Sequence, residues 1–261
     1  MSETPFTDVR RFDSIDSTNR YLLDEARGGA PSGVVAVADH QTAGRGRRGR
    51  TWEAPKGSNL LMSVLLRPSV GPDDRHLVTT AVALAAVDAV DALGPAGGAP
   101  LRIKWPNDLL APDGRKVAGV LAEADLGAAP GGPAAPVVVG IGINVNWPGS
   151  DQDLPTELRG AAASLRQLAG APVDREALLH ALLVALGPRT DALATAAGRA
   201  HLADDLRRRC DTLGATVRVE LPDGSFTGTA SAITAQGHLT VDVDGTPRTV
   251  VAGDVIHVRT D

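Results

Sequence analysis

Leu101-Arg102-Ile103-Lys104-Trp105-Pro106-Asn107-Asp108, Lys116-Val117-Ala118-Gly119-Val120-Leu121-Ala122 and Val137-Val138-Val139-Gly140-Ile141-Gly142-Ile143-Asn144-Val145 decide the architecture. Each is a short apolar run bounded by a turn-forming or charged residue, and predicts a buried strand, at 101–105, 117–122 and 137–145. Upstream, 59–66 (NLLMSVLL) predicts another strand, stopped at Pro68. Pro72-Asp73-Asp74 then opens a long Ala/Val/Leu helix that ends near Leu93-Gly94. Further upstream, 34–38 reads as a buried strand, and Asp16-Ser17-Thr18-Asn19 offers capping side chains to a short helix closed by Gly28-Gly29. The segments 95–100 and 127–136 are a Gly/Ala/Pro connector and a low-complexity hairpin tip, the latter expected to be mobile and inert. Helical periodicity returns at 175–186 and again at 190–210. From Gly214 the pattern changes to short strands at 217–221, 240–243 and 255–258, separated by Pro222-Asp223-Gly224, Gln236-Gly237 and Asp244-Gly245. The expected organisation is therefore an α/β body, residues 1–213, followed by a small β domain, residues 214–261.

Composition narrows the function. The 261 residues are 43% hydrophobic and 22% charged, which excludes a disordered chain. Aromatic residues make up only 3%, so the core must be built from Ala, Val, Leu and Ile. A net charge of −5 argues against a protein that coats DNA or an anionic membrane. Cys210 has no partner for a disulfide and no zinc-ligand spacing, which fits a reducing compartment. The N-terminus is polar and acidic, unlike a signal peptide, and no stretch reads as long and clean enough to span a bilayer. A cytoplasmic protein is expected.

No P-loop, complete dinucleotide fingerprint, G-x-S-x-G or H-E-x-x-H is present. The unusual segment is Gln41-Thr42-Ala43-Gly44-Arg45-Gly46-Arg47-Arg48-Gly49-Arg50-Thr51-Trp52. Its four guanidiniums meet no acid in the chain before Glu53, so they are expected to repel one another until an anion neutralises them. Gly44, Gly46 and Gly49 would let the backbone fold around that anion and leave the loop mobile without it. A solvated arginine loop or an RNA contact remains the alternative reading. In the second motif, Pro106 ends a strand and presents Asn107 and Asp108, either as a site or as a capped turn. Lys116 starts the next strand and is either functional or a snorkelling strand-end residue; Gly119 leaves room for a ligand. Asn144 follows Gly140 and Gly142 and could equally be a hydrogen-bonded turn residue. Only three of the 26 basic residues are lysines, at 56, 104 and 116. Codon bias explains the scarcity but not the survivors, and Lys104 and Lys116 mark places where a compact point charge is needed.

Ser17-Thr18-Asn19, the 41–52 loop, KWPND at 104–108, Lys116-Val117-Ala118-Gly119 and Gly140-Ile141-Gly142-Ile143-Asn144 together resemble, in order and spacing, the biotin protein ligases. The resemblance covers almost the whole chain, and GRGRRGR with KWPND is its most specific part. It implies a mixed sheet with flanking helices, like the class II aminoacyl-tRNA synthetase core, followed by an SH3-like barrel. It implies an ATP-dependent ligase that makes biotinyl-AMP and transfers biotin to a lysine of a biotin carboxyl carrier domain. Only 16 residues precede Ser17, so a repressor role is not expected. By motif match, Ser17, Thr18, Asn19, Gln41, Gly44, Arg45, Gly46, Arg47, Lys116, Gly119 and Gly140 would contact biotin. Arg47, Arg48, Arg50, Trp52, Lys104, Asn107, Asp108, Lys116 and Asn144 would serve the nucleotide side. Lys116 and Arg45, Arg47, Arg48 and Arg50 would carry the chemistry, and Trp52 and Trp105 would be site walls. The implied small molecules are biotin, ATP and Mg²⁺, with the metal-holding side chains unassigned. Neither nucleic acid nor membrane is an expected partner, and the chain would be a monomer or weak homodimer. Lipoate protein ligases share the related fold and chemistry and form the runner-up.

Overall fold

A computed structural model describes residues 4–94, 100–124 and 135–258. The expected connector at 95–100 and hairpin tip at 127–136 lie outside these residues, except for their last one or two positions.

The chain begins with β1 (Val9–Phe12), α1 (Thr18–Arg27), β2 (Val35–Ala38), β3 (Leu60–Leu66) and α2 (His76–Ala92). Ser17 caps α1, its side chain accepting from the Arg20 amide. A tight turn then links β4 (Arg102–Lys104) to β5 (Asp108–Leu110), followed by β6 (Lys116–Ala124) and β7 (Val137–Ile143). These seven strands form one sheet in the order β1-β2-β3-β7-β6-β5-β4. Only β1 and β2 pair in parallel. The expected mixed sheet is thus present, with β5 as an extra strand where Pro106 was read as an end.

Alternation along the strands gives the sheet two different faces. Leu60, Met62, Val64, Val117, Val120, Val139, Ile141 and Ile143 join the main core with α2. On the other face, Leu65 and Val138 pack under Leu22 and Ala26 of α1. Beyond them the second face carries a patch of small residues between Leu61 and Leu121. Ser63, Gly119, Gly140 and Gly142 lie there in cross-strand register, Ser63 opposite Gly140 and Gly119 opposite Gly142. A hollow opens beyond the N-terminus of α1.

Downstream lie α3 (Leu165–Ala169), α4 (Arg175–Asp191) and α5 (Ala196–Arg209). α4 runs past 186 and carries Pro188 inside it, so the helix break falls at Thr195 and not before Thr190. The Thr190 hydroxyl donates to the Leu186 and Gly187 carbonyls in the same turn. The stretch Arg175–Ala194 is in fact long and apolar enough, by length and composition, to cross a bilayer. Its leucines, Leu178, Leu179, Leu182, Leu183 and Leu186, are instead buried in the core shared with α2.

The final part holds β8 (Thr216–Leu221), β9 (Gly224–Ile233), β10 (Leu239–Val243), β11 (Thr246–Val250) and β12 (Asp254–His257), an antiparallel sheet ordered β11-β10-β9-β8-β12. β9 and β11 escape the sequence reading because they are largely exposed and carry few apolar residues. This sheet shares its core with the body. Trp105, 1% exposed, donates its indole N–H to the Gly237 carbonyl at 2.9 Å, and its own amide donates to Thr212 Oγ1 at 3.0 Å. Trp105 is therefore an anchor between the two parts and not the site wall expected of it.

His76 stacks on Trp105 with centroids 5.4 Å apart and meets His238 at 6.2 Å. Burial, with His238 and Arg47 adding to it, pushes the His76 pKa down from its usual 6.5 to about 4. The unfolded chain therefore binds the extra proton first. Stability is intact above pH 6.5 and is lost as pH falls through 4, by about 3 kcal/mol for this residue alone. Urea unfolding of a His76→Phe variant at pH 7 and pH 4 should show a smaller acid loss than the parent; equal losses would refute the assignment.

Candidate functional site

The hollow is a cavity of about 550 Å³. Fifteen of the expected site residues line it: Ser17, Thr18, Asn19, Gln41, Arg45, Gly46, Arg47, Arg50, Trp52, Asn107, Asp108, Lys116, Gly119, Gly140 and Asn144. Gly44, Arg48 and Lys104 do not. Gly44 instead lets the loop close on itself, since a Cβ there would fall 2.2 Å from the Trp52 carbonyl oxygen. Arg48 turns toward the C-terminal sheet. Lys104 is half-buried on β4, and burial lowers its pKa, with Lys116 and Arg50 adding to the shift and Asp108 and Asp254 opposing it.

At one end of the cavity the groups are mostly uncharged and share one hydrogen-bond network. The Thr18 amide and hydroxyl both donate to Gln41 Oε1, at 2.8 and 3.0 Å. The Thr18 hydroxyl also lies 2.7 Å from Ser63 Oγ, and Ser63 donates to Asn19 Oδ1 at 2.6 Å. Asn19 Nδ2 donates to Glu123 Oε2 at 2.9 Å, and the other oxygen of Glu123 pairs with Arg45 at 3.1 Å. Ser63 and Glu123 were not singled out from sequence. For Ser63 a signal existed, as the one polar residue inside β3.

Gly140 admits this network: a Cβ there would fall 2.2 Å from Asn19 Oδ1. Gly119 and Gly142 make room for the Trp52 ring, since a Cβ on Gly142 would come within 2.6 Å of it. The space attributed to a ligand at Gly119 and Gly140 is therefore partly taken by the protein's own side chains. The Trp52 indole N–H is buried and finds no acceptor among the described residues.

The other end is cationic. Lys116 Nζ lies 2.8 Å from Asp108 Oδ1 and 5.4 Å from the Trp52 ring centroid. The arginine loop is a tight turn, with Gly46 N bonded to the Arg50 carbonyl at 2.7 Å and Trp52 N to the Gly44 carbonyl at 3.0 Å. Arg48 takes a left-handed φ of 56° there. Contrary to the expectation of unneutralised charge, acids distant in sequence meet all four guanidiniums. Arg45 pairs with Glu123, Arg48 with Glu220, and Arg47, Arg48 and Arg50 converge on Asp254. Arg47 Nη1 also donates to Asn107 Oδ1 at 3.1 Å, and burial lowers its pKa. Such partners are invisible in a local window. Asn144 is tied up in the structure as well, accepting from Asn59 Nδ2 at 3.2 Å and donating to the Ala163 carbonyl at 3.1 Å.

A polar, largely uncharged slot running into a lysine and an arginine clamp suits an enzyme that holds one small acid and presents it to a second, more highly charged anion. The biotin/lipoate A/B protein ligase family model matches residues 11–144, and the biotin protein ligase C-terminal domain matches residues 212–258. The chain belongs to the biotin/lipoate A/B protein ligase family. Over 247 residues it is 41% identical to a biotin–[acetyl-CoA-carboxylase] ligase of Mycobacterium tuberculosis, covering 93% of this chain and 86% of that one. It is 32% identical to the bifunctional ligase/repressor BirA of Bacillus subtilis, covering 93% and 72%. The biotin protein ligase of Aquifex aeolicus, solved with biotin and ATP, superposes with a TM-score of 0.79 at 25% identity, covering 98% of this chain and all of that one.

Proposed function

We propose that this chain is a cytoplasmic ligase that joins biotin to a lysine of a biotin carboxyl carrier domain through biotinyl-AMP. The observation that carries the reading is the two-ended cavity. The Thr18–Asn19–Gln41–Ser63 end offers donors and acceptors to a neutral bicyclic head, while Lys116 and the arginines face an acid tail. A relative similar over 93% of the chain is by name a biotin–[acetyl-CoA-carboxylase] ligase.

Biotin's carboxylate would attack the α-phosphate of ATP, releasing pyrophosphate, and the carrier amine would then attack the acyl carbon, releasing AMP. No protein nucleophile is required. The chain's work is to bring two anions together and to stabilise the charge that builds on phosphorus. We assign Ser17, Thr18, Asn19, Gln41, Gly119 and Gly140 to biotin, and Arg45, Arg47 and Lys116 to its carboxylate and the α-phosphate. Arg48, Arg50, Lys104, Asn107, Asp108 and Asn144 fall to the nucleotide side, where the unpaired Trp52 indole N–H offers a donor to an acceptor atom of the ligand. Residues 1–213 would form the catalytic unit and 214–261 the β domain that completes it. The residues present do not fit a protein-held Mg²⁺ centre. Among the described residues no group of three or more His, Cys, Asp or Glu could hold a metal, and Asp108 and Asp254 already face cations. The metal would arrive with ATP as part of the substrate.

ATP–pyrophosphate exchange should be stimulated by biotin and not by lipoate. A carrier domain incubated with the protein, biotin and MgATP should gain one biotinyl group on one lysine by mass spectrometry. Exchange driven by lipoate alone would reverse the choice of acid.

A further inference from the structure

The arginine loop is closed by a carboxylate from the far end of the chain. Asp254, at the start of β12, places Oδ2 3.1 Å from Arg50 Nη2 and 3.4 Å from Arg48 Nη1, and Oδ1 3.7 Å from Arg47 Nη1. Neighbouring backbone reinforces the closure. The Gly253 carbonyl accepts from Arg47 Nη2 at 2.9 Å, and the Glu220 carbonyl accepts from Arg48 Nη2 at 2.7 Å. Three guanidiniums converging on one carboxylate is the arrangement a phosphate group would meet.

We infer that the Asp254 carboxylate is an internal stand-in for a nucleotide phosphate. It holds Arg47, Arg48 and Arg50 together while the site is empty and is exchanged for phosphate oxygens when the nucleotide enters. The inference rests on the reading of this loop as a phosphate clamp. Charge balance supports exchange over a permanent lock. Among the described residues the ion pairs of the four loop guanidiniums run to three carboxylates, Glu123, Glu220 and Asp254, and Glu220 is shared with Arg218, so a surplus of positive charge remains for a multivalent anion. Two of the three pairs are open to water on the arginine side, with the Arg48 and Arg50 side chains 40% and 65% exposed, so these break at little cost; Arg47 and Asp254 itself, 22% and 19% exposed, form the more sheltered contact, at 3.7 Å. A pyrophosphate group brings several charges where Asp254 brings one. Because the carboxylate is tethered, it competes at a high effective concentration, and the measured affinity of the loop for phosphate includes the cost of displacing it. β12 pairs with β8 through backbone bonds that do not involve this side chain. Release of Asp254 would therefore loosen β12 without dismantling the sheet.

The probe is inorganic pyrophosphate, titrated calorimetrically into the full-length protein. Asp254→Asn should bind it about three- to tenfold more tightly than the parent, with Asp254→Glu close to the parent and Glu220→Gln between the two. In the parent, saturating pyrophosphate should speed amide exchange at residues 253–257 and leave 239–243 protected. A merely structural Asp254 would give weaker binding in the Asn variant and no change in exchange, and either result overturns the inference. Equal affinities in parent and Asn variant would also overturn it while leaving the ligase reading intact. Failure of the parent itself to bind pyrophosphate or ATP would overturn both.

Discussion

Replacing Lys116 with alanine should lower biotin-dependent ATP–pyrophosphate exchange by about two to three orders of magnitude while the thermal midpoint moves little. A preorganised donor aimed at charge developing on a transferring group is worth about 10²–10³ in rate when removed singly. Lys116 is placed for that task. It starts β6 at the cavity, its Nζ is held by Asp108 at 2.8 Å, and the face of Trp52 lies beside it. Its structural duties belong to the backbone: its amide donates to the Ala161 carbonyl, and its carbonyl accepts from the Ala163 amide. Those bonds survive truncation. What the fold loses is one ion pair with a side chain 33% exposed, worth at most about 1 kcal/mol. Lys116→Arg should not restore activity, because Nζ already lies 3.1 Å from where a Cβ on Gly119 would stand, and a guanidinium fork is wider than an ammonium. Exchange rates in both variants, set beside circular dichroism melts, check the expectation. Near-parental exchange in the alanine variant would remove Lys116 from the mechanism.

The largest loss of stability should follow Trp105→Ala, about 3–5 kcal/mol in urea unfolding. The ring is 1% exposed and packed against the His76 ring, so its truncation leaves a large void in the core. Truncation also leaves the Gly237 carbonyl without its donor and removes the stacking partner of His76. For a chain of this length each kcal/mol lowers the thermal midpoint by about 2–4 °C, so a fall of about 10 °C is expected. Trp105→Phe should recover most of the packing but not the hydrogen bond. A loss below 1 kcal/mol in the alanine variant would show that the two parts of the molecule are not joined there.

The contrast between these residues shows what sequence could disclose. Lys116, the arginine loop, Thr18, Asn19 and Gln41 stand in compact motifs whose residue types announce their chemistry, and the fold brings them to one cavity. Strands β2, β3, β6 and β7 were legible because buried strands are written as unbroken apolar runs. Trp105 was misplaced because its neighbours in sequence belong to the site, whereas its partners in space are Thr212 and Gly237. Glu123, Glu220 and Asp254 were invisible for the same reason: an isolated acid on a strand carries no mark of the arginine it will meet. β9 and β11 failed differently, because strands with mostly polar, exposed side chains lack the apolar alternation on which the reading depends.

The separation between the arginine loop and its counter-charges has a consequence for how the molecule is made. Arg50 and Asp254 are 204 residues apart in the chain. A ribosome adding about 5–20 residues per second takes on the order of ten seconds or more to cover that interval. Throughout it the loop exists without the carboxylate that gathers it. The contacts of the loop with Asp254 are therefore among the last in the nascent chain to form, and a truncated product that stops short of β12 keeps Glu123 and Glu220 but lacks the carboxylate on which Arg47, Arg48 and Arg50 converge, a mark by which incomplete copies differ from finished ones.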